Sequence, residues 1–425
     1  MLRGPLVTEN NSLRWTLVLA GVLALAVISP FFHFGQASGH DFEFHLESWM
    51  DVARQWHQGV IFPRWAAWAN YGYGEPRFIF YPPASWIICA ALGCVLPWWA
   101  VPSAFIIFAI VLSSVSMHRL ARNWMSPGAA VAASLFYAAN PYQLLVVFLR
   151  SDFAELLASA LFPFAVHFAM RCGTTVTKQH AHARETAPLR NAVGLALVYA
   201  LIWLSNAPAA VISSYALAAL LAAQAISQRS IKTLFVAGAG LAGGLMLAAF
   251  YVVPAAYEQA WVNISQVLSD GLRPEQNFLF TAIMSPEHNL FNIKVSLIAL
   301  IAIGLATAAA ALFYLRFPAL RRSWGPILAL SGVTVLLMTP LSTFVWRYAP
   351  ELRFIQFPWR FLSPMALCTA LFLGQIVAFS RKPAPAFLGV TAIFAATALT
   401  IVFGPVSPPW WDSEGLSVIQ TQVQT

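Results

Sequence analysis

Apolar runs of roughly twenty residues recur along this chain, and few folds can house them. They lie near 13–32, 98–117, 128–148, 153–170, 192–204, 208–226, 234–253, 295–315, 327–344, 361–379 and 387–403. About twenty apolar residues of α-helix cross the hydrocarbon core of a bilayer, whereas barrel strands are about half that length and alternate in polarity. The pattern predicts an all-α fold, a polytopic transmembrane helical bundle of about eleven helices. Composition agrees, with 59% hydrophobic and only 9% charged residues, against about 25% charged in soluble domains. No soluble fold of this length can hide so much apolar surface, so lipid is the solvent. The first run is long enough to span and no small-residue cleavage site follows it, so it reads as a retained helix. The apolar segment 84–96 is too short to span and reads as an interfacial or re-entrant helix.

The formal charge is +8, but the basic residues form short clusters between the runs rather than a patch or stripe. That excludes a nucleic-acid partner and follows the positive-inside pattern. With the N-terminus cytoplasmic, about fifteen of the 24 Lys and Arg residues fall inside; on that side only Glu9 and Glu185 are acidic. Threading 84–96 as a full span would invert every later loop. The expectation is a multi-pass protein of the plasma (inner) membrane with long extracytoplasmic loops. One transmembrane domain covers 1–404, with a first outer loop at 33–97 and a second at 254–294. A polar tail, 405–425, is either the start of a further outer domain or a disordered end. Cys89, Cys94, Cys172 and Cys368 lie in or beside apolar segments without a CxxC motif and read as packing residues.

Ionisable residues gather in three places, all on the predicted outer side. The string GHDFEFHLESWMD holds His40, Asp41, Glu43, His45, Glu47 and Asp51. Asp41 follows the turn signal Ser38-Gly39 directly after the first helix. Its aromatic neighbours would raise its pKa or demand a cation partner. Glu47 and Asp51 share a helix face with Arg54 and read as an ordinary solvated face. His40 and His45 fit no zinc spacing. The loop then becomes rich in aromatics, Gly and Pro, with Arg64, Glu75, Arg77 and Tyr81, suited to stacking on a sugar or an isoprenoid head group. The second cluster is Arg150, Asp152 and Glu155, between the third and fourth runs. Charges there are costly unless paired or functional. The third is Arg347, Glu351, Arg353 and Arg360, whose outward arginines suit phosphate or pyrophosphate.

Taken in order, these strings resemble a known group. An acid after the first helix, a long outer loop ending in Tyr81-Pro82-Pro83, and a second acid between the third and fourth helices resemble the GT-C superfamily. Those are membrane glycosyltransferases that use polyprenyl-phosphate sugars. GHDFEFH, the GxxxPRW stretch from Gly59 to Trp65, Tyr71-Gly72-Tyr73-Gly74, FYPP, FYVVPAAYE and QFPWRF are similar to the bacterial family labelled "6-pyruvoyl-tetrahydropterin synthase-related" and to YfhO-type membrane proteins. That label implies no pterin chemistry, because the soluble synthase is a small α+β enzyme with a three-histidine zinc site. The GT-C resemblance implies Asp41 as catalytic base, Asp152 as the second catalytic acid, and Arg360 as a lipid-phosphate ligand. Glu43, His45, Arg64, Tyr81, Arg150, Glu155 and Arg353 complete the candidate substrate site. The implied partners are membrane lipid and a polyprenyl-phosphate-linked sugar. A divalent cation, Mg or Mn, is compatible with such a site, although SDFAE departs from a clean DxD or ExE. Two other classes stand beside the transferase, a non-catalytic scaffold of envelope assembly and a lipid or polysaccharide transporter. Transporters place ionisable residues near the midplane of broken helices; here they gather at helix ends.

Overall fold

The computed structural model describes Thr8 and residues 11–173, 182–318 and 321–379. Among them the chain is built of helices and connecting turns, with one isolated β-bridge between Ala66 and Glu75. Among the described residues nine helices are long and apolar enough to cross a membrane, or ten if a bent pair counts as one span. The expected span at 387–403 and the tail 405–425 lie outside the described residues.

The main helices are α1 (Ser12–Ile28), α2 (Phe42–His57), α3 (Pro83–Gly93), α4 (Val101–Ala121), α5 (Pro127–Ala138), α6 (Pro141–Leu145), α7 (Phe153–Arg171), α8 (His182–Ser205), α9 (Ala207–Gln228), α10 (Lys232–Glu258), α11 (Pro286–Arg316), α12 (Arg321–Leu337), α13 (Thr343–Tyr348) and α14 (Leu362–Phe379). Several begin with a polar cap followed by proline in the first turn, where its missing N–H costs nothing. Asn140, Asn206 and Ser285 cap α6, α9 and α11, accepting from the backbone N–H of Gln143, Ala209 and His288.

Two boundaries differ from the sequence expectation. Helix α10 runs through Pro254 to Glu258 and α11 starts at Pro286, so the second long loop is 259–285 rather than 254–294. An internal proline removes one backbone bond while the neighbouring bonds carry the helix on. The stretch 327–344 is not one helix. Helix α12 ends at Leu337, and the chain bends by 90° into Pro340–Tyr348. The Trp346 indole N–H donates to the Leu337 carbonyl at 2.9 Å and ties the bend.

Burial sorts the spans into two classes. Pro127–Arg150, Phe153–Arg171 and Pro358–Val377 are almost wholly enclosed, whereas Ser12–Phe34 and Lys232–Trp261 present much of their surface outward. What they expose is apolar, including Leu25, Phe235 and Met246. A water-soluble protein does not tolerate such a girdle, and lipid tails match it. This is a multi-pass membrane protein.

The short apolar helix α3 packs on α2, and the Asp51 position of α2 is covered rather than solvated, while Glu47 stays partly exposed. Asp51 is buried; it accepts from Gln55 Nε2 at 3.0 Å and from the backbone N–H of Trp68 at 3.5 Å. Arg54 lies 3.7 Å over the Trp68 ring, and Gln55 also donates to the Trp65 carbonyl. Asp51 and its neighbours therefore pin the aromatic loop to α2. Burial pushes the Asp51 carboxyl up, against the opposing pull of its hydrogen bonds. A raised folded pKa means that its contribution to stability is complete below the ordinary carboxylate range and is lost as pH rises through the folded value. Asp51→Asn is therefore expected to flatten the fall in melting temperature between about pH 4 and about pH 7. Identical pH slopes for variant and wild type would remove Asp51 as the cause.

Candidate active site

The three most enclosed spans all end at one place. Pro127–Arg150 closes on a π-helical turn, Val146–Arg150, a rare geometry that recurs at functional sites. Ser151 follows in the left-handed region at φ 51°, a conformation that costs about 1 kcal/mol or more in a non-glycine residue. Hydrogen bonds hold it there. Its hydroxyl donates to the Ala37 carbonyl and accepts from the Gly39 N–H, both at 3.0 Å. The backbone N–H groups of His40 and Asp41 donate to the carbonyls of Leu149 and Arg150, at 3.2 and 2.8 Å. Residues 37–41 thus lie along 149–151, and this seam brings Asp41 to Asp152 across more than a hundred residues.

Gly39 opens the expected turn, its carbonyl accepting from the Phe42 N–H at 3.0 Å, and it also lies hard against the seam. A Cβ there would sit 2.6 Å from the Leu149 carbonyl oxygen. Gly39→Ala is expected to force the seam apart by about 1 Å. That should lower activity about a hundredfold, because misplacing a reacting group on that scale costs that much. Full turnover in the variant would mean that the seam does not position Asp41.

At the centre stands Arg150. Its Nη2 donates to Asp41 Oδ2 at 3.0 Å and to Asp152 Oδ2 at 2.9 Å, while Nη1 donates to Glu155 Oε2 at 2.6 Å. The Tyr142 hydroxyl donates to the other Glu155 oxygen. Arg360, at the entrance to α14, brings Nη2 to 3.9 Å from Asp152 and Nε to 3.5 Å from Glu155; its Nη1 is buried without a hydrogen-bond partner. Trp359 lies under Arg150, at 5.6 Å from ring centre to guanidinium.

The three carboxylates differ in access. The Glu155 and Asp152 side chains are 1% and 4% exposed, whereas Asp41 is 38% exposed. Asp152 also caps α7, accepting from the Glu155 N–H at 2.9 Å, and receives Asn206 Nδ2 at 3.5 Å. Burial alone would push its carboxyl up. The Arg150 guanidinium, with smaller help from His45 and Arg360, reverses that and holds it well below the usual carboxylate range. Asp41 stands at the start of α2 but makes no capping bond, so Arg150 holds it without its own helix.

The other candidates divide. His45 is buried, with Nε2 3.7 Å from Asp152 and 3.4 Å from the Tyr81 hydroxyl. Burial, with the nearby carboxylates, pushes the Tyr81 phenol up. These two therefore belong with the cluster. Glu43, Arg64 and Arg353 are exposed and form no hydrogen bond or ion pair with it. Arg77 binds Glu75 at 2.5 Å and Ser48 at 3.0 Å, on the loop side of α2. Ser151, Tyr142 and Asn206 were not anticipated. Asn206 and Asp152 carried a sequence signal as caps, since each is a small polar residue heading an apolar run.

Among the described residues no three His, Cys, Asp or Glu side chains converge to hold a metal ion. The position between Asp41 and Asp152, where a divalent cation would bridge them, is taken by Arg150 Nη2. The donor set therefore fits a guanidinium and not a metal.

No protein-family model matches the chain, nor does the sequence of any curated protein. Its structure is similar to solved ones. ArnT from Cupriavidus metallidurans bound to undecaprenyl phosphate superposes with a TM-score of 0.58 at 12% identity, over 96% of this chain and 69% of that one. The oligosaccharyltransferase of Archaeoglobus fulgidus in the apo form gives 0.50 at 14% identity, over 98% and 56%. The archaeal oligosaccharyltransferase AglB, from the same organism and in complex with an inhibitory peptide and a dolichol-phosphate, gives 0.50 at 16% identity, over 96% and 55%. The chain spans just over half the length of these oligosaccharyltransferases. Its bundle has the fold of the GT-C membrane glycosyltransferases.

Proposed function

We propose that this protein is a glycosyltransferase that moves a sugar from a polyprenyl-phosphate donor to an acceptor hydroxyl on the outer face of the plasma membrane. The observation that carries the reading is the asymmetry of the cluster. One carboxylate, Asp41, is accessible and is held by Arg150, and the carboxylates behind it, Asp152 and Glu155, face a buried arginine, Arg360, that has an unused donor. The positive-inside distribution supports the outward orientation, and the resemblance of the motif strings to the pterin-synthase-labelled family agrees with it.

In this reading the donor's lipid tail lies among the helices and its phosphate meets Arg360 Nη1. Asp41 takes the proton of the acceptor hydroxyl as that oxygen attacks the anomeric carbon. The bond from that carbon to the phosphate oxygen breaks, and polyprenyl phosphate leaves with the electron pair. A single displacement inverts the anomeric configuration. Asp152 and Glu155 keep Arg150 and Arg360 in place rather than moving protons.

The purified protein is to be incubated with radiolabelled polyprenyl-phosphate sugars, and release of the lipid phosphate followed for wild type and Arg360→Gln. Turnover by wild type is expected, with donor binding weakened about 10- to 100-fold in the variant, as when one partner of a buried charged contact is lost. No turnover and no binding of any donor would overturn the proposal in favour of a scaffold.

A further inference from the structure

The acidic cluster occupies one end of the bundle, and a second polar site lies at the other. Helix α7 connects them: Asp152 caps its start, Arg171 ends its nineteen residues, and the two ends are about 28 Å apart. Around Arg171, the facing ends of α9, α10 and α12 enclose a cavity of about 870 Å³ that also presents Gln224, Ser227, Gln228, Lys232 and Arg322. Beside it is an open groove of about 860 Å³, lined by Ala222, Ala225, Ile226, Leu234 and Phe235, with Ile226 and Phe235 largely exposed. Ser230 and Lys232 line both. Among the described residues neither wall contains a carboxylate.

The polar cavity is a built site. Arg322 Nε donates to the Ser227 carbonyl at 2.8 Å and the Ser227 hydroxyl donates to the Arg322 carbonyl at 3.0 Å, so α9 and α12 lock each other at the rim. Gln224 is buried, its Nε2 committed to the Met170 carbonyl at 2.9 Å, and its Oε1 has no partner. Helix α10 starts at this point; its Lys232 and Leu234 N–H groups are met by Ser230 Oγ and the Ile231 carbonyl, and its dipole adds to the positive field.

We infer that the cavity and the groove form one binding site for an anionic glycerophospholipid from the leaflet opposite the acidic cluster. The phosphodiester sits between Lys232 and Arg322, and a headgroup hydroxyl donates to Gln224 Oε1. An acyl chain fills the apolar groove against Phe235 and Leu234. A free phosphate can meet the cations and, through a P–OH, the Gln224 acceptor, but it leaves the apolar groove unmatched. Basic pockets between transmembrane helices are a recurrent way of holding such lipids. The inference rests on the membrane fold and not on the proposed transfer reaction.

The test uses delipidated full-length protein in neutral detergent. Phosphatidylglycerol, phosphatidylcholine and inorganic phosphate are titrated separately, and binding is read by native mass spectrometry. Phosphatidylglycerol is expected to bind in preference to phosphatidylcholine, and Lys232→Gln/Arg322→Gln to bind it about 30-fold more weakly. Ala222→Trp, which fills the apolar groove and keeps every charge, is expected to abolish lipid binding. Unchanged melting without lipid shows that both variants fold. Equal binding of the two lipids, or binding untouched by either variant, overturns the site. Displacement of phosphatidylglycerol by millimolar phosphate, with Ala222→Trp inert, overturns the lipid as ligand. None of these outcomes bears on Asp41.

Discussion

Asp41→Asn is expected to lower sugar transfer by about a thousandfold, within the range that general-base catalysis supplies, while the protein stays folded and still binds its donor. The physical case is that amide and carboxylate have the same shape but differ in basicity. An asparagine keeps an acceptor oxygen for Arg150 Nη2, so the seam between residues 37–41 and 149–151 is preserved. What is lost is the one carboxylate of the cluster that an acceptor can reach. The signature is a fall in kcat with donor KM unchanged, which a merely structural role does not give. Asp152→Asn should behave differently. Its oxygens are already engaged by Arg150, Asn206 and the Glu155 N–H, so its loss shows in stability and donor binding together. Full activity of Asp41→Asn would sink the assignment of the base.

Arg150→Ala is expected to be the most destabilising single change in this region, by about 3–5 kcal/mol, the usual consequence of leaving buried charge uncompensated. Glu155 is almost inaccessible and Asp152 nearly so, and Arg150 donates to both. With the guanidinium gone, Arg360 remains near them at 3.5 and 3.9 Å, with His45 at 3.7 Å from Asp152, and neither replaces its short bonds. Thermal melting in detergent measures the loss. The discriminating variant is Arg150→Met/Glu155→Gln, which removes a buried charge together with its partner and should recover part of the deficit. Recovery follows because an unmet charge costs more than an absent one. A single variant that melts with wild type would show that the cluster is hydrated rather than held by Arg150. Such a group of charges is poor value as structural glue, since apolar residues of the same volume would pack as well. That is a reason to read it as functional.

Particular residues show how far the sequence went. The apolar runs located the spans because lipid allows only one solution for unpaired backbone groups, the helix. Asp41, Arg150, Asp152, Glu155 and Arg360 were picked out because ionisable residues at the ends of apolar helices are rare enough to stand out. Glu43 and Arg353 stood out by the same rule and point into solvent, since the rule marks charge near a helix end and carries no information on direction. Asp51 was read as solvated because it shares a period with Arg54. Only the loop folding back on α2 buries it.

The chain's own order of residues therefore determined that this is a helical membrane protein, where its spans lie, and which end of the bundle collects the carboxylates. Hydropathy and charge are local properties, and a window of twenty residues contains them. The tertiary structure alone decided that Arg150 stands between Asp41 and Asp152, that Asp41 is the accessible acid, and that the turn at Gly39 is pressed against the Leu149 carbonyl. Those facts depend on the left-handed Ser151, the π-turn before it and the seam to residues 37–41. They join segments more than a hundred residues apart, and no local pattern encodes which backbone carbonyl a distant N–H will find.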